Sequence, residues 1–287
     1  MPAGLAPAKI NLCLHVTGQR PDGYHMLDSL VVFTRLGDLV EVEPASTLSL
    51  SISGPFSLDL GAGDDNLVLR AAELIRPAGQ GAALHLTKTL PVASGIGGGS
   101  SDAAAALRAL KALWGVDVPG ARSLAGLGAD VPVCWQAQPC RMRGIGEEVT
   151  ALPASLPQMW MVLANPGVHI PTPRIFAALA DKHNGALPTP LDLPRDFANF
   201  TAWLTAATRN DLQAPAVDEA PVIARVLSAL GETKACALAR MSGSGATCFG
   251  LYPDQQPALD AAAQLRAQHP NWWVAATDIL PGLTSPD

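Results

Sequence analysis

One run constrains this chain more than any other: Leu90–Pro91–Val92–Ala93–Ser94–Gly95–Ile96–Gly97–Gly98–Gly99–Ser100–Ser101–Asp102, leading directly into Ala103–Leu107. It predicts the end of a strand, a loop of glycines and serines, and the start of a helix. Gly95, Gly97, Gly98 and Gly99 have no Cβ to hold a ligand off the backbone, and they accept positive φ. Ser100, Ser101 and Asp102 are N-cap candidates. Ala103, Leu107, Leu110 and Trp114 then recur at helical spacing to make one apolar face, and Gly115 stands where a C-terminal stop belongs. Free amides at the positive end of a helix form an anion site, most often for phosphate. The alternative is a surface loop that does no more than cap a helix.

The run is not a Walker A loop, because no Lys-Ser/Thr follows its last glycine. Nor is it a dinucleotide fingerprint, since Ser100 stands where a third glycine is required. The preceding segment Ala83–Leu90 sets Leu84, Leu86, Lys88 and Leu90 against Ala83, His85, Thr87 and Thr89. That alternation predicts a half-exposed strand rather than the continuously apolar strand of a buried parallel sheet.

A chain of 287 residues, 48% hydrophobic and 15% charged, has room for one large domain or two ordinary ones. A formal charge of −6 argues against general nucleic-acid binding. A polyphosphate ligand would have to be held by local amides, a few cations and a metal ion. The amino terminus, Met1–Ala8, shows no charged-then-apolar signal, and no apolar run reaches membrane-spanning length. Cys13, Cys134, Cys140, Cys236 and Cys248 are odd in number and form no C-x-x-C, so reduced thiols in a cytoplasmic protein are expected.

Taken in order, Ala8–Thr17 alternates Ile10, Leu12, Leu14 and Val16 against Lys9, Asn11, Cys13 and His15, which predicts a two-faced strand. A Pro21–Asp22–Gly23 turn precedes Tyr24 and His25, and Leu27–Leu36 reads as a second strand. Asp38–Glu43 and Leu48–Ser53 read as edge strands. Asp64–Asp65–Asn66 caps a helix that Pro77 and Gly79 end. A short helix near Ala121–Leu127 leads to Asp130, and Pro132 predicts that no helix continues there, so Asp130 falls at a helix-to-strand turn. Pro153 and Pro157 mark a composition break, which divides the chain into 1–153 and 154–287. The second half alternates strands at Met159–Ala164, Ala237–Met241, Cys248–Tyr252 and Trp272–Thr277 with helices at Arg174–Leu179, Phe197–Thr208, Pro221–Leu230 and Pro257–Gln268, a mixed α+β pattern.

Three motifs in this order resemble the GHMP family of small-molecule kinases: Pro7–Ala8–Lys9–Ile10–Asn11–Leu12, the glycine loop from Pro91 to Ser101, and Met241–Ser242–Gly243–Ser244–Gly245–Ala246. The stretches Gly18–His25, Gly128–Pro132 and Asn165–Pro173 are similar to those family members whose acceptor alcohol is carried on cytidine diphosphate. The resemblance implies a two-domain α+β fold, with an N-terminal domain like the second domain of ribosomal protein S5 and a ferredoxin-like C-terminal domain. It implies ATP and Mg2+ as cofactors, a small-molecule substrate with a cytidine diphosphate group, and transfer of the γ-phosphate to an alcohol. No nucleic-acid or membrane partner is implied.

On that resemblance Lys9 and Asp130 are the catalytic pair. Pro91, Val92, Ala93, Ser94, Gly95, Ile96, Gly97, Gly98, Gly99, Ser100 and Ser101 hold the nucleotide phosphates, while Asn66, Leu67 and Lys88 lie on the adenine side. Asn11, Tyr24, His25, Ile145, Thr172, Phe176, Gly243 and Ser244 line the acceptor pocket. No residues are assigned as metal ligands, and Asp102 either caps the helix or helps hold Mg2+. The chemistry agrees, because a carboxylate can take a hydroxyl proton and a neighbouring cation keeps it ionised. Rival readings are a GHMP kinase for another alcohol, such as mevalonate or homoserine, or a nucleotide-binding sensor without catalysis.

Overall fold

The computed structural model describes residues 4–152, 156–189 and 191–281. The predicted 153/154 division falls on residues outside that set. The chain opens with β1 (Leu5–Gln19) and β2 (His25–Ala45), joined through the Pro21–Asp22–Gly23 turn. β3 (Ser49–Ser53), α1 (Leu67–Ile75) and β4 (Gly81–Thr87) follow, with β3 and β4 parallel. Next come α2 (Gly98–Trp114), α3 (Ala121–Leu127), α4 (Val131–Gln136) and the hairpin of β5 (Cys140–Gly144) and β6 (Glu148–Ala151).

The first sheet has the order β3-β4-β2-β5-β6, with β1 on the other side of β2. Leu27–Leu36 and Asp38–Glu43 are therefore parts of one strand, and the edge reading holds only for its Glu41–Glu43 end, which pairs with β4 alone. Leu39 pairs with Leu5 on one side and Thr87 on the other. The weak alternation across Gly37 hid this. A Cβ there would lie 2.3 Å from the Ala6 carbonyl oxygen, so glycine is what lets β1 and β2 run past each other.

β7 (Trp160–Asn165) starts a second sheet, followed by α5 (Thr172–Ala177), α6 (Phe197–Ala207), α7 (Gln213–Glu219) and α8 (Val222–Gly231). β8 (Leu238–Met241), β9 (Cys248–Tyr252), α9 (Gln255–Gln268) and β10 (Trp273–Asp278) complete it. Its order is β10-β7-β9-β8, all antiparallel. With α8 and α9 as crossovers, this is the β-α-β-β-α-β ferredoxin-like arrangement.

β1 joins the two halves. Ala6 packs beneath α1 and α2, Ile10 and Leu12 pack with Phe200, Phe249 and Leu251 of the second half, and Leu14 and Val16 enter the core under α8 and α9. Each fully buried side chain of this size contributes roughly 1.5–3 kcal/mol of hydrophobic stabilisation. The polar face of β1 is equally buried, with Lys9 at 4% and Asn11 at 0% exposure. Lys9 and Asn11 face a cleft between the halves, while past a register shift after Asn11 the Cys13 side chain packs in the core and His15 bonds the Gly185 carbonyl.

Candidate active site

The glycine loop folds as its residues dictate. Ala93, Gly95 and Gly97 take positive φ of 50°, 76° and 64°. A Cβ on Gly95 would lie 2.7 Å from the carbonyl oxygens of both Ser242 and Gly245, so only glycine lets this loop meet the Ser242–Gly245 loop. Two bonds seal the junction. Ser242 Oγ donates to the Gly95 carbonyl at 3.2 Å, and the Thr247 amide donates to the Ser94 carbonyl at 3.1 Å. α2 begins at Gly98, with Gly97 as its left-handed cap and no side-chain cap bond. Ser100, Ser101 and Asp102 therefore do not cap it; they lie inside its first turns. Amides at the start of this 17-residue helix remain available to an anion.

Lys9 reaches the mouth of this loop. Its ammonium lies 2.8 Å from Asp130 Oδ2, with the lysine side chain 5% and the aspartate 33% exposed. Its backbone amide donates to the Ile96 carbonyl at 2.9 Å, which ties strand to loop. Asp130 is the N-cap residue of α4, and Pro132 sits in that helix's first turn. The expected helix-to-strand turn is thus a helix-to-helix turn, because proline is tolerated where the amide would be unpaired anyway. Both side chains face a cleft of about 960 Å3.

From the loop, Ala93, Ser94, Gly95, Gly97, Gly98, Gly99 and Ser100 line the cleft. Leu67, Asn11, Tyr24, His25, Ile145, Thr172, Phe176, Gly243 and Ser244 do so as well. At one end His25 stacks on Phe176, with centroids 4.8 Å apart, and Tyr24 stands 59% exposed beside them. Burial first, then the charge of Lys182, holds the His25 imidazole below its ordinary pKa. Its Nε2 is buried and has no partner. Asn11 donates to Ser29 Oγ at 2.7 Å, yet its Oδ1 is also buried and unpartnered. Thr172 and Ser244 share a hydroxyl hydrogen bond of 2.7 Å across the cleft.

Other expected site residues lie elsewhere. Pro91, Val92, Ile96 and Ser101 do not line the cleft. Ile96 is core, and Ser101 Oγ donates to the Pro7 carbonyl. Asn66 spends its amide on capping α1, accepting from the Val68 amide and donating to the Gly61 carbonyl. Lys88 is corrected outright: it lies just past the end of β4, 1% exposed, and bonds Asp38 at 2.5 Å and Asp102 at 2.7 Å. Neither Lys88 nor Asn66 is free to meet adenine, and Asp102 is not open to a metal ion. The sequence reading missed Lys182 and His169, which also line the cleft. Lys182 sits in a polar stretch with no periodicity to mark it, whereas His169 lies inside the Asn165–Pro173 stretch that carries the resemblance. Among the described residues no three His, Cys, Asp or Glu side chains converge as a metal cage.

A strand-borne lysine paired with an aspartate, a glycine loop opening a helix and a second loop packed against it are the features expected of an ATP-using kinase of the GHMP class. Comparison with known proteins agrees. The GHMP kinases N terminal domain matches residues 66–140, and the GHMP kinases C terminal domain matches 185–271. The chain belongs to the GHMP kinase family.

Within it, the chain is 57% identical to the 4-diphosphocytidyl-2-C-methyl-D-erythritol kinase of Cereibacter sphaeroides strain KD131, over 96% of this chain and 98% of that one. A crystal structure of 4-(cytidine 5'-diphospho)-2C-methyl-D-erythritol kinase is similar at 34% identity and a TM-score of 0.77, covering 96% of this chain and 98% of the other. The homoserine kinase of Cytophaga hutchinsonii shares the fold at 15% identity, with a TM-score of 0.63 over 98% and 95% of the two chains.

Proposed function

We propose that this chain transfers the γ-phosphate of ATP to the 2-hydroxyl of 4-diphosphocytidyl-2-C-methyl-D-erythritol, forming the 2-phosphate and ADP. That reaction belongs to the non-mevalonate route to isoprenoid precursors. The observation that carries the reading is the Lys9–Asp130 pair at the mouth of the glycine loop, in the same cleft as the His25–Phe176 stack.

Phosphoryl transfer needs positioning and charge neutralisation more than covalent help. The amides at the start of α2 hold the phosphates, and the Lys9 ammonium faces the transferring group. Asp130, ion-paired with Lys9, accepts the proton of the attacking hydroxyl. A Mg2+ ion bound with the nucleotide would supply neutralisation of phosphate charge; among the described residues no three His, Cys, Asp or Glu side chains converge to hold it. At the far end Tyr24 stacks on cytosine, and the unpartnered His25 Nε2 reads its hydrogen-bonding edge. Asn11 Oδ1, buried without a donor, receives a hydroxyl of the methylerythritol. The loop from Ala93 to Ser100 and Leu67 form the nucleotide side; Ile145, Thr172, Gly243 and Ser244 close the acceptor side.

The two domains proposed are 1–153 and 154–287. All five cysteines are free thiols, four of them buried, which suits the reducing cytoplasm proposed as its location. No helix among the described residues is long and apolar enough to cross a membrane.

The test is ADP release with ATP and Mg2+, comparing 4-diphosphocytidyl-2-C-methyl-D-erythritol with mevalonate, homoserine and galactose. Release with the cytidyl acceptor alone is expected. Release with another alcohol would keep Lys9 and Asp130 but overturn the acceptor. Nucleotide binding without release from any acceptor would favour a sensor.

A further inference from the structure

Lys88, Asp38 and Asp102 take no part in the transfer chemistry, yet they are 1%, 0% and 1% exposed. If all three were ionised, two carboxylates would face one ammonium and leave a buried negative charge unmatched. Such a charge is costly, and two carboxyl groups sharing one cation resolve it by keeping a proton. The hydrogen bonds say which group keeps it. Asp38 accepts from Lys88 at 2.5 Å through Oδ2 and from the amides of Thr89 and Leu90 at 2.6 and 2.8 Å through Oδ1, so both of its oxygens are partnered by donors. Asp102 shares the ammonium through Oδ2 at 2.7 Å, while its Oδ1 is buried with no partner. Burial, opposed by Lys88 and reinforced by Asp38, pushes Asp102 up to about 8.

The triad lies directly beneath the phosphate loop. A Cβ on Gly98 would stand 3.1 Å from Lys88 Nζ and 3.9 Å from Asp38 Oδ2. Around α2, β1 contributes Lys9 and α4 begins at Asp130, which neutralise each other. α4 also brings Cys134, a thiol that burial raises strongly. α2 itself adds Arg108, bonded to the carbonyls of Cys134 and Leu5. α1 presents only Arg70 and Glu73, both exposed, and β4 holds His85 on its opposite face.

We propose that Asp102 stays protonated when the loop binds ATP, so that the neutral triad is a positioning device for the nucleotide. Its proton keeps an unmatched negative charge from standing under the phosphates. This rests on the reading that the glycine loop holds ATP. By linkage, ATP then favours the protonated form, so affinity falls as Asp102 ionises and binding takes up a proton in that range.

The experiment is calorimetric titration of the full chain with ATP and Mg2+, without acceptor, from about pH 6.5 to 9.5 in two buffers of different ionisation enthalpy. Wild type is expected to bind roughly tenfold more weakly at the alkaline end and to take up protons near pH 8. Asp102→Asn, neutral at every pH, is expected to abolish both slopes. A flat wild-type profile, or the same slopes in Asp102→Asn, would overturn the inference. Absence of ATP binding at pH 6.5 would sink the nucleotide reading and this inference with it. Should the variant not fold, the infrared carbonyl band of a protonated carboxyl in wild type decides. Its presence at pH 7 and loss by pH 9.5 supports the proposal, and its absence at pH 7 overturns it.

Discussion

Two lysine–aspartate clusters flank the same pair of glycines and do opposite things. A Cβ on Gly97 would meet the Lys9 side chain at 3.1 Å, and one on Gly98 would meet Lys88 Nζ at the same distance. Lys9 pairs one-to-one with Asp130, which is one-third exposed to the cleft. Lys88 serves two aspartates in a sealed site, where burial pulls its pKa down but its two aspartate partners outweigh it and hold it above its ordinary value. The residue types are the same, so solvent access and partner number separate the roles. An open pair can exchange a proton with a substrate hydroxyl; a sealed triad acts through the loop above it.

Breaking the open pair gives the largest expected change. Asp130→Asn should cut turnover by roughly 10²–10⁴ while leaving ATP affinity nearly intact; initial rates together with ATP titration measure both. Full turnover in that variant would erase the distinction between the clusters. In the sealed site, Lys88→Met leaves the Asp38 carboxylate without its cation. It should cost about 3–5 kcal/mol of stability at pH 7, read from the urea midpoint. Recovery toward pH 5 would locate the damage in unmatched charge, and no recovery would locate it in packing.

Gly95→Ala sharpens the comparison between the cleft's two sides. Its Cβ has no room against Ser242 and Gly245, so the KM values for ATP and for acceptor should rise together. A rise confined to one substrate would mean the loops act independently. Tyr24→Ala should raise acceptor KM by roughly 10–100-fold through lost stacking, with kcat and ATP KM unchanged. Impaired ATP binding instead would misplace the cytosine pocket.

The last comparison concerns Asp102 and pH. Its pKa is raised on folding, so the folded state binds more protons than the unfolded one. Its contribution to stability is complete below about pH 4 and is lost as pH rises to about 8. Asp102→Asn should therefore flatten stability across that window, as followed by thermal melting. An unchanged slope would assign the proton to another group.

How much of this was legible beforehand depends on sequence distance. The α2 face, the Asn66 cap and the Gly115 stop involve residues within a few positions of one another, and local spacing reported them correctly. The reading of Asp38–Glu43 as a strand of its own, the strand expected after Asp130 and the adenine role of Lys88 failed for one shared reason. Each depended on what the residue faces across the sheet or beneath the helix. Lys88 had carried a hint, a charge in register with Leu84, Leu86 and Leu90. The hint could not name its partners, which lie 50 and 14 residues away.

The sequence by itself determined the phosphate loop, the motif order and the family, because glycine φ preferences, caps and periodicity are short-range. Only the tertiary structure decided which lysine opens to the cleft and which is sealed. Desolvation and charge pairing are set by everything packed around a side chain, and no local stretch of chain encodes that.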